Sequence, residues 1–279
     1  MKRTVFVLLS ALCMIDAVRA ENGGPLKYRF HQAVPQPALF DSVAPLKAVF
    51  SFSNTIASSY LRRGMVFNEG LMLQPAVGVA YGNWELGTWS NVVAVETGEN
   101  KFVPEIDFSL SYNHEGDKYG VKPRANFYLY PANWEHISTL ELGVEAYCEL
   151  DNVGFCVNPN LDIADNYGGL YIDYGIYKEG RLNERLSYEA RMLLGWGNKR
   201  FCDYYGGEPG RIETNANPKR LPGNESLKSM QLQLSGEYTV NDHFSVKPQL
   251  TTFRNFMMGY AFDRRLLRAT AAVTCAYTF

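Results

Sequence analysis

From Ala48 to the carboxyl terminus, charge in this chain is confined by parity. The last stretch shows it most plainly. Ala269, Ala271, Val273, Cys275, Tyr277 and Phe279 alternate with Arg268, Thr270, Ala272, Thr274, Ala276 and Thr278. A period of two is the signature of a strand with one apolar and one polar face. The chain ends on an aromatic residue, with Tyr277 two positions before it. A transmembrane β-barrel closes with its final strand and sets aromatic residues at the membrane interface. The competing reading of this stretch alone is the last core strand of a soluble β-sandwich.

The same unit repeats upstream. Twelve alternating runs can be marked: Ala48–Tyr60, Leu71–Tyr81, Trp84–Val93, Val103–Asn113, Tyr119–Tyr130, Leu140–Tyr147, Val153–Leu161, Gly169–Tyr177, Leu186–Trp196, Met230–Tyr238, Phe244–Leu250 and the terminal stretch. In most of them the apolar parity is clear, as in Leu140, Leu142, Val144 and Ala146 against Glu141, Gly143, Glu145 and Tyr147. The third run is ambiguous in facing, because Trp84 and Trp89 have opposite parity.

The connections add a second regularity. Those after even-numbered runs are mostly short: Gly82-Asn83, His114–Lys118, Leu150–Asn152, Lys178–Arg185 and Asn241-Asp242. Those after odd-numbered runs tend to be longer: Leu61–Gly70, Ala94–Phe102, Pro131–Ser138, Asp162–Gly168, Gly197–Leu227 and Asn255–Leu266. Outer-membrane barrels have short periplasmic turns, longer extracellular loops and an even number of strands. A soluble sandwich has no reason for such alternation. The chain therefore reads as all-β, an antiparallel up-and-down transmembrane β-barrel of about twelve strands. In lipid, a charge on the outer face costs about 2–4 kcal/mol near the midplane, so charges belong on the inner parity.

Hydrophobic residues make up 46% of the chain, including 18 Tyr and 16 Phe, yet no run beyond the amino terminus is long enough for a membrane helix. Met1–Ala20 reads as a secretory signal peptide: Lys2 and Arg3, an apolar stretch from Thr4 to Ile15, then Val18-Arg19-Ala20 at the cleavage spacing. The mature chain is expected to begin at about Glu21 and to reside in the outer membrane. Residues 21–47 carry Pro25, Pro35, Pro37 and Pro45 without periodicity and read as a periplasmic lead-in. The barrel occupies 48–279. The formal net charge of −2 argues against a nucleic-acid partner.

Ser53-Asn54, Ser58-Ser59-Tyr60-Leu61-Arg62-Arg63-Gly64, Gln74-Pro75 and Leu86-Gly87-Thr88-Trp89-Ser90-Asn91 resemble the opening signature of the TorF-type outer-membrane porin family. Glu105-Ile106-Asp107 and Tyr128-Leu129-Tyr130-Pro131 fall where that family carries an acidic strand and a Tyr-Pro strand end. Ser59 stands where the family has an acid, and the cysteines are outside its pattern. The resemblance implies a porin-type barrel that passes small hydrophilic solutes and leaves the solute unspecified. By resemblance to other outer-membrane barrels, Tyr277 and Phe279 are expected to serve as the handle for the barrel assembly machinery. Outer-membrane lipid is the surrounding partner.

The inward parity supplies the candidate lumen-lining set: Glu85, Asp107, Lys122, Arg124, Glu141, Glu145, Asp173, Glu189, Arg191, Glu237, Lys247 and Arg268. Acids lead bases seven to five in this set, a slight lean toward cations for a wet pore. The alternative is that these charges pair across strands and plug the lumen, with Lys122 and Arg124 set beside Glu141 and Glu145. The Gly197–Leu227 loop either folds inward as a constriction or stays at the surface. Cys148 and Cys156 meet only if the intervening turn has three residues; the hydrophobic alternation prefers the register that offsets them. His243-Phe244-Ser245 has the His-x-Ser spacing of an outer-membrane lipid hydrolase, with both side chains on one face, but Lys247-Pro248 is the wrong context. His114, His136 and His243 lie in separate connections, so neither a metal nor any other cofactor is expected.

Overall fold

The computed structural model describes residues 47–63, 65–96, 105–131, 138–150, 153–206, 226–255 and 267–279. The expected signal peptide and nearly all of the lead-in lie outside the described residues. Twelve strands follow in chain order: β1 (Val49–Arg62), β2 (Met65–Tyr81), β3 (Trp84–Glu96), β4 (Glu105–Tyr112), β5 (Tyr119–Leu129) and β6 (Thr139–Leu150). The second half comprises β7 (Val153–Asp162), β8 (Leu170–Arg181), β9 (Leu186–Gly197), β10 (Ser226–Thr239), β11 (Phe244–Asn255) and β12 (Arg268–Thr278). A helix, α1 (Lys199–Gly206), follows β9. The line of β4 resumes after Asn113 as a two-residue segment, His114–Glu115, which pairs with β5 as β4 does.

Each strand pairs antiparallel with its chain neighbour, and β12 pairs with β1, so the sheet closes on itself. The closing register sets Phe52 opposite Tyr277 and Ile56 opposite Val273. Closure leaves no unpaired edge, and every strand then has only an inner and an outer face. The outer face holds exposed apolar side chains around the cylinder: Phe52, Val77, Leu86, Phe108, Phe127, Leu142, Phe155, Tyr174, Leu234, Leu250 and Val273 among them. The buried residues are predominantly polar or small, with Ser51, Ser53, Glu85, Lys122, Glu141, Glu145 and Glu189 on the inner face. This inverts the ordinary soluble arrangement, in which charged groups are almost never fully buried.

The third strand's facing is settled by its neighbours. Trp84 is exposed and meets Tyr112 edge-on, whereas Trp89 lies 5.3 Å from Tyr60, on the inner side with Glu85 and Asn91. Both tryptophans fit a regular strand, because one-residue alternation places positions 84 and 89 on opposite faces.

One connection is corrected. Leu61–Gly70 is not a loop: β1 runs to Arg62 and β2 starts at Met65, so only Arg63 and Gly64 separate the paired strands. The strands continue because backbone pairing outlasts the apolar alternation that marked them in sequence. The offset register that the alternation prefers for Cys148 and Cys156 is the one formed: Leu150 pairs with Val153 and Tyr147 with Cys156. Cys148 faces outward, Cys156 inward, and both are free. This register keeps Val153, Phe155 and Val157 on the apolar outer face.

Candidate functional site

At the end of the barrel opposite the chain termini, the β1–β2 hairpin reaches into the interior. Arg62 Nη1 donates to Glu105 Oε1 on β4 at 2.9 Å, and its Nη2 stands 3.6 Å from Glu141 Oε2 on β6. Arg63 makes a two-point pair with Glu141, Nη1 to Oε1 and Nη2 to Oε2, both at 2.6 Å. The planar guanidinium fork matches the carboxylate plane, which makes this the strongest ion-pair geometry available to side chains. Burial opposes the Arg63 charge, but the Glu141 carboxylate outweighs it and holds the guanidinium above its ordinary pKa. Tyr128 completes the group: its hydroxyl donates to Glu141 Oε2 at 3.0 Å, and the Arg62 guanidinium lies 4.1 Å over its ring. Tyr130 donates to Glu105 at 3.4 Å.

An aromatic bridge crosses beside these charges. Tyr60 on β1 lies 5.4 Å from Phe67 on β2, and Phe67 packs against the buried cluster of Tyr171, Phe201 and Cys202. Tyr171 and Phe201 approach to 4.8 Å between ring centroids. α1 is held there by its amino-terminal cap. Asn198 Oδ1 accepts the Phe201 N–H at 2.9 Å and the Leu170 N–H at 3.1 Å, while its Nδ2 donates to the Gly168 carbonyl. An Asn directly before the first helical residue is a preferred cap. Gly195 makes the room: a Cβ there would stand 2.0 Å from the Tyr171 hydroxyl, which bonds Ser229 at 3.2 Å. Tyr204 donates to Asp165, tying the helix to the β7–β8 connection.

The remaining charged groups form separate clusters. Lys122 Nζ pairs with Glu85 at 2.8 Å, both buried. That partner lies on β3, two strands from β5, while the register sets Lys122 opposite Glu145 on β6. Arg124 donates to Asn158 and Asn160 on β7, each at 2.8 Å, and stands 3.6 Å from Glu145. Arg191 and Glu189 are 3.0 Å apart on the same face of β9. Nearer the terminal end, Glu189, Glu237, Lys247 and Tyr188 border a cavity of about 150 Å³.

All of the sequence-predicted set falls on the inner parity and none of it is exposed; Asp107, Arg124, Asp173, Arg191, Glu237, Lys247 and Arg268 are half-buried. What sequence reasoning missed is Arg62, Arg63 and Glu105. The two arginines stand at a turn, where side chains are ordinarily solvated. The signal was the Arg-Arg-Gly segment itself, two cations at a turn only two residues long. The described part of the Gly197–Leu227 connection is packed inward through Phe201 and Cys202; residues 207–225 lie outside the described residues. His243 Nδ1 stands 2.9 Å from the Thr278 carbonyl and its ring stacks on the exposed Tyr277, whereas Ser245 pairs with the buried Ala276. The two therefore do not share a face, contrary to the alternation, because His243 belongs to the turn rather than to β11.

No family model matches the chain, and no curated protein matches it. Among solved structures, it is similar to the KdgM porin at 8% identity, with a TM-score of 0.47 over 83% of this chain and 99% of that one. It is similar to the NanC porin at 11% identity, TM-score 0.47, over 82% and 98%. An outer membrane channel from Pseudomonas putida F1 matches at 9% identity, TM-score 0.46, over 88% and 100%.

Proposed function

We propose that this chain is an outer-membrane, porin-like channel for passive diffusion of small hydrophilic solutes. One observation carries the reading: the closed sheet exposes large apolar side chains outward and keeps its charges inward. Soluble monomers rarely expose contiguous apolar patches beyond a few hundred Å². A lipid environment makes this outer surface favourable and makes a polar interior the natural path for water and solutes. In this reading the twelve predicted inner charges line the path, with the chain exported and cleaved near Glu21. The barrel assembly machinery recognises Tyr277 and Phe279. The work requires no bond-making chemistry, so no catalytic residue is assigned.

The test is single-channel recording of purified, folded protein in planar bilayers. Discrete conductance steps support the reading, and their absence at high protein load counts against it. A second reading, a non-conducting structural or binding barrel, draws on the pairs of Arg62 and Arg63 with Glu105 and Glu141. The same recording separates the two.

A further inference from the structure

The β1–β2 hairpin is bent at a defined place. Its pairing shifts register between Ala57 and Ser59 and again between Tyr60 and Leu61. Register shifts of this kind kink a strand and increase its local twist. Beyond the bend, Arg63 adopts left-handed backbone, with φ at 52°. A non-glycine residue is held there only when its surroundings over-determine the conformation.

The surroundings of Arg63 do so. Its guanidinium takes both Glu141 oxygens on β6 and lies 5.2 Å from the Tyr171 ring of β8 and 5.8 Å from the Phe201 ring of α1. A single side chain thus joins the hairpin that carries it to the facing wall and to the helix folded inside the barrel. Resting on the channel reading above, we infer that Arg63 is the lock of an internal constriction: it holds the β1–β2 tip and α1 together across the pore. Its removal loosens both.

Cys202 supplies a readout independent of conductance. It is 2% exposed, and its thiol donates to the Gly197 carbonyl at 3.5 Å. With Cys148, Cys156 and Cys275 replaced by serine, maleimide labelling of the folded barrel reports whether α1 stays seated. Arg63→Ala is expected to speed that labelling by about tenfold or more, since local opening sets the access of a buried group. Unitary conductance is expected to rise about twofold or more as the narrowest section widens. Arg63→Lys, which keeps the charge and loses the fork, falls between. Lys118→Ala, in an exposed turn, changes neither.

Heat-modifiable electrophoretic mobility verifies folding, and Glu141→Gln, which removes the partner instead, is the second variant if Arg63→Ala does not fold. Labelling as slow as in the parent, in folded Arg63→Ala and Glu141→Gln proteins, overturns the lock. Channel steps of unchanged size together with slow labelling overturn it and leave the channel standing. Accelerated labelling without channel steps from any variant supports the lock and removes the channel reading beneath it.

Discussion

Arg63 and Glu141 are 78 positions apart, and their side chains meet through two contacts of 2.6 Å each. The turn after β1 and the start of β6 stand far around the cylinder from one another, so this pair is a chord through the barrel rather than a link along its wall. Arg62 stands on the same carboxylate at 3.6 Å, so Glu141 holds two cations.

Glu141→Gln should therefore cost more than one ion pair. It leaves two guanidiniums facing a neutral amide, with Glu105 still bonded to Arg62. Breaking a buried pair from one side is worth about 3–5 kcal/mol, and the loss should fall in that range. Urea unfolding of the detergent-refolded barrel, read by heat-modifiable mobility, measures it. A change under about 1 kcal/mol would mean that water already screens the pair.

Lys122 and Glu85 give a contrasting case. Their 2.8 Å pair is fully buried, with side-chain exposures of 0% and 4%. Lys122→Ala should destabilise by about 3–5 kcal/mol by taking the cation from a buried carboxylate, whereas Lys122→Met with Glu85→Leu should cost less. The double variant removes both desolvation costs together. Equilibrium unfolding of the two proteins decides it: equal losses would show that the pair stabilises in its own right.

The barrel was legible because a membrane wall imposes one rule on every strand. Lipid forbids charge outside and the pleat alternates side chains, so Glu141, Glu145, Asp173 and Glu189 could be placed without knowing any contact. Strand order came with it, since short antiparallel connections leave few alternatives. The far-end cluster was not legible. Which inner charges meet depends on how a hairpin bends, and the bend arises from two register shifts that leave no mark in the hydrophobic pattern. Lys122 shows the same limit: parity placed it inward, but its reach to β3 is a matter of side-chain length and of where Glu85 stands.

The outer face can be tested by adjacent residues on one strand. Leu250 is exposed in mid-β11, opposite Leu234 and Ala271, and Gln249 precedes it on the inner face. In phospholipid vesicles, Leu250→Arg should cost about 2–4 kcal/mol, as for a charge on a lipid-facing strand position. Gln249→Arg should cost about 1 kcal/mol or less, because the inner face is already charged and partly hydrated. Equilibrium denaturation in vesicles compares them. Equal effects would remove the membrane from the account of the exposed apolar surface.

Phe279 is where assembly and folded stability should part. Its ring is 69% exposed and packs edge-on against Tyr277 at 4.8 Å, while its N–H donates to the Phe50 carbonyl at 2.9 Å. Deleting it removes one hydrogen bond at the β12–β1 seam but leaves the register from Ser51–Thr278 onward. One such bond is worth about 0.5–1.5 kcal/mol net, too little to unfold a closed sheet. If the terminal aromatics are read by the assembly machinery, the deletion should lower membrane levels several-fold while refolded protein keeps its unfolding midpoint and conductance. Quantitative blotting of membrane fractions, set against unfolding of the refolded protein, separates the two. Wild-type membrane levels would show that exposure of Phe279 serves lipid contact alone.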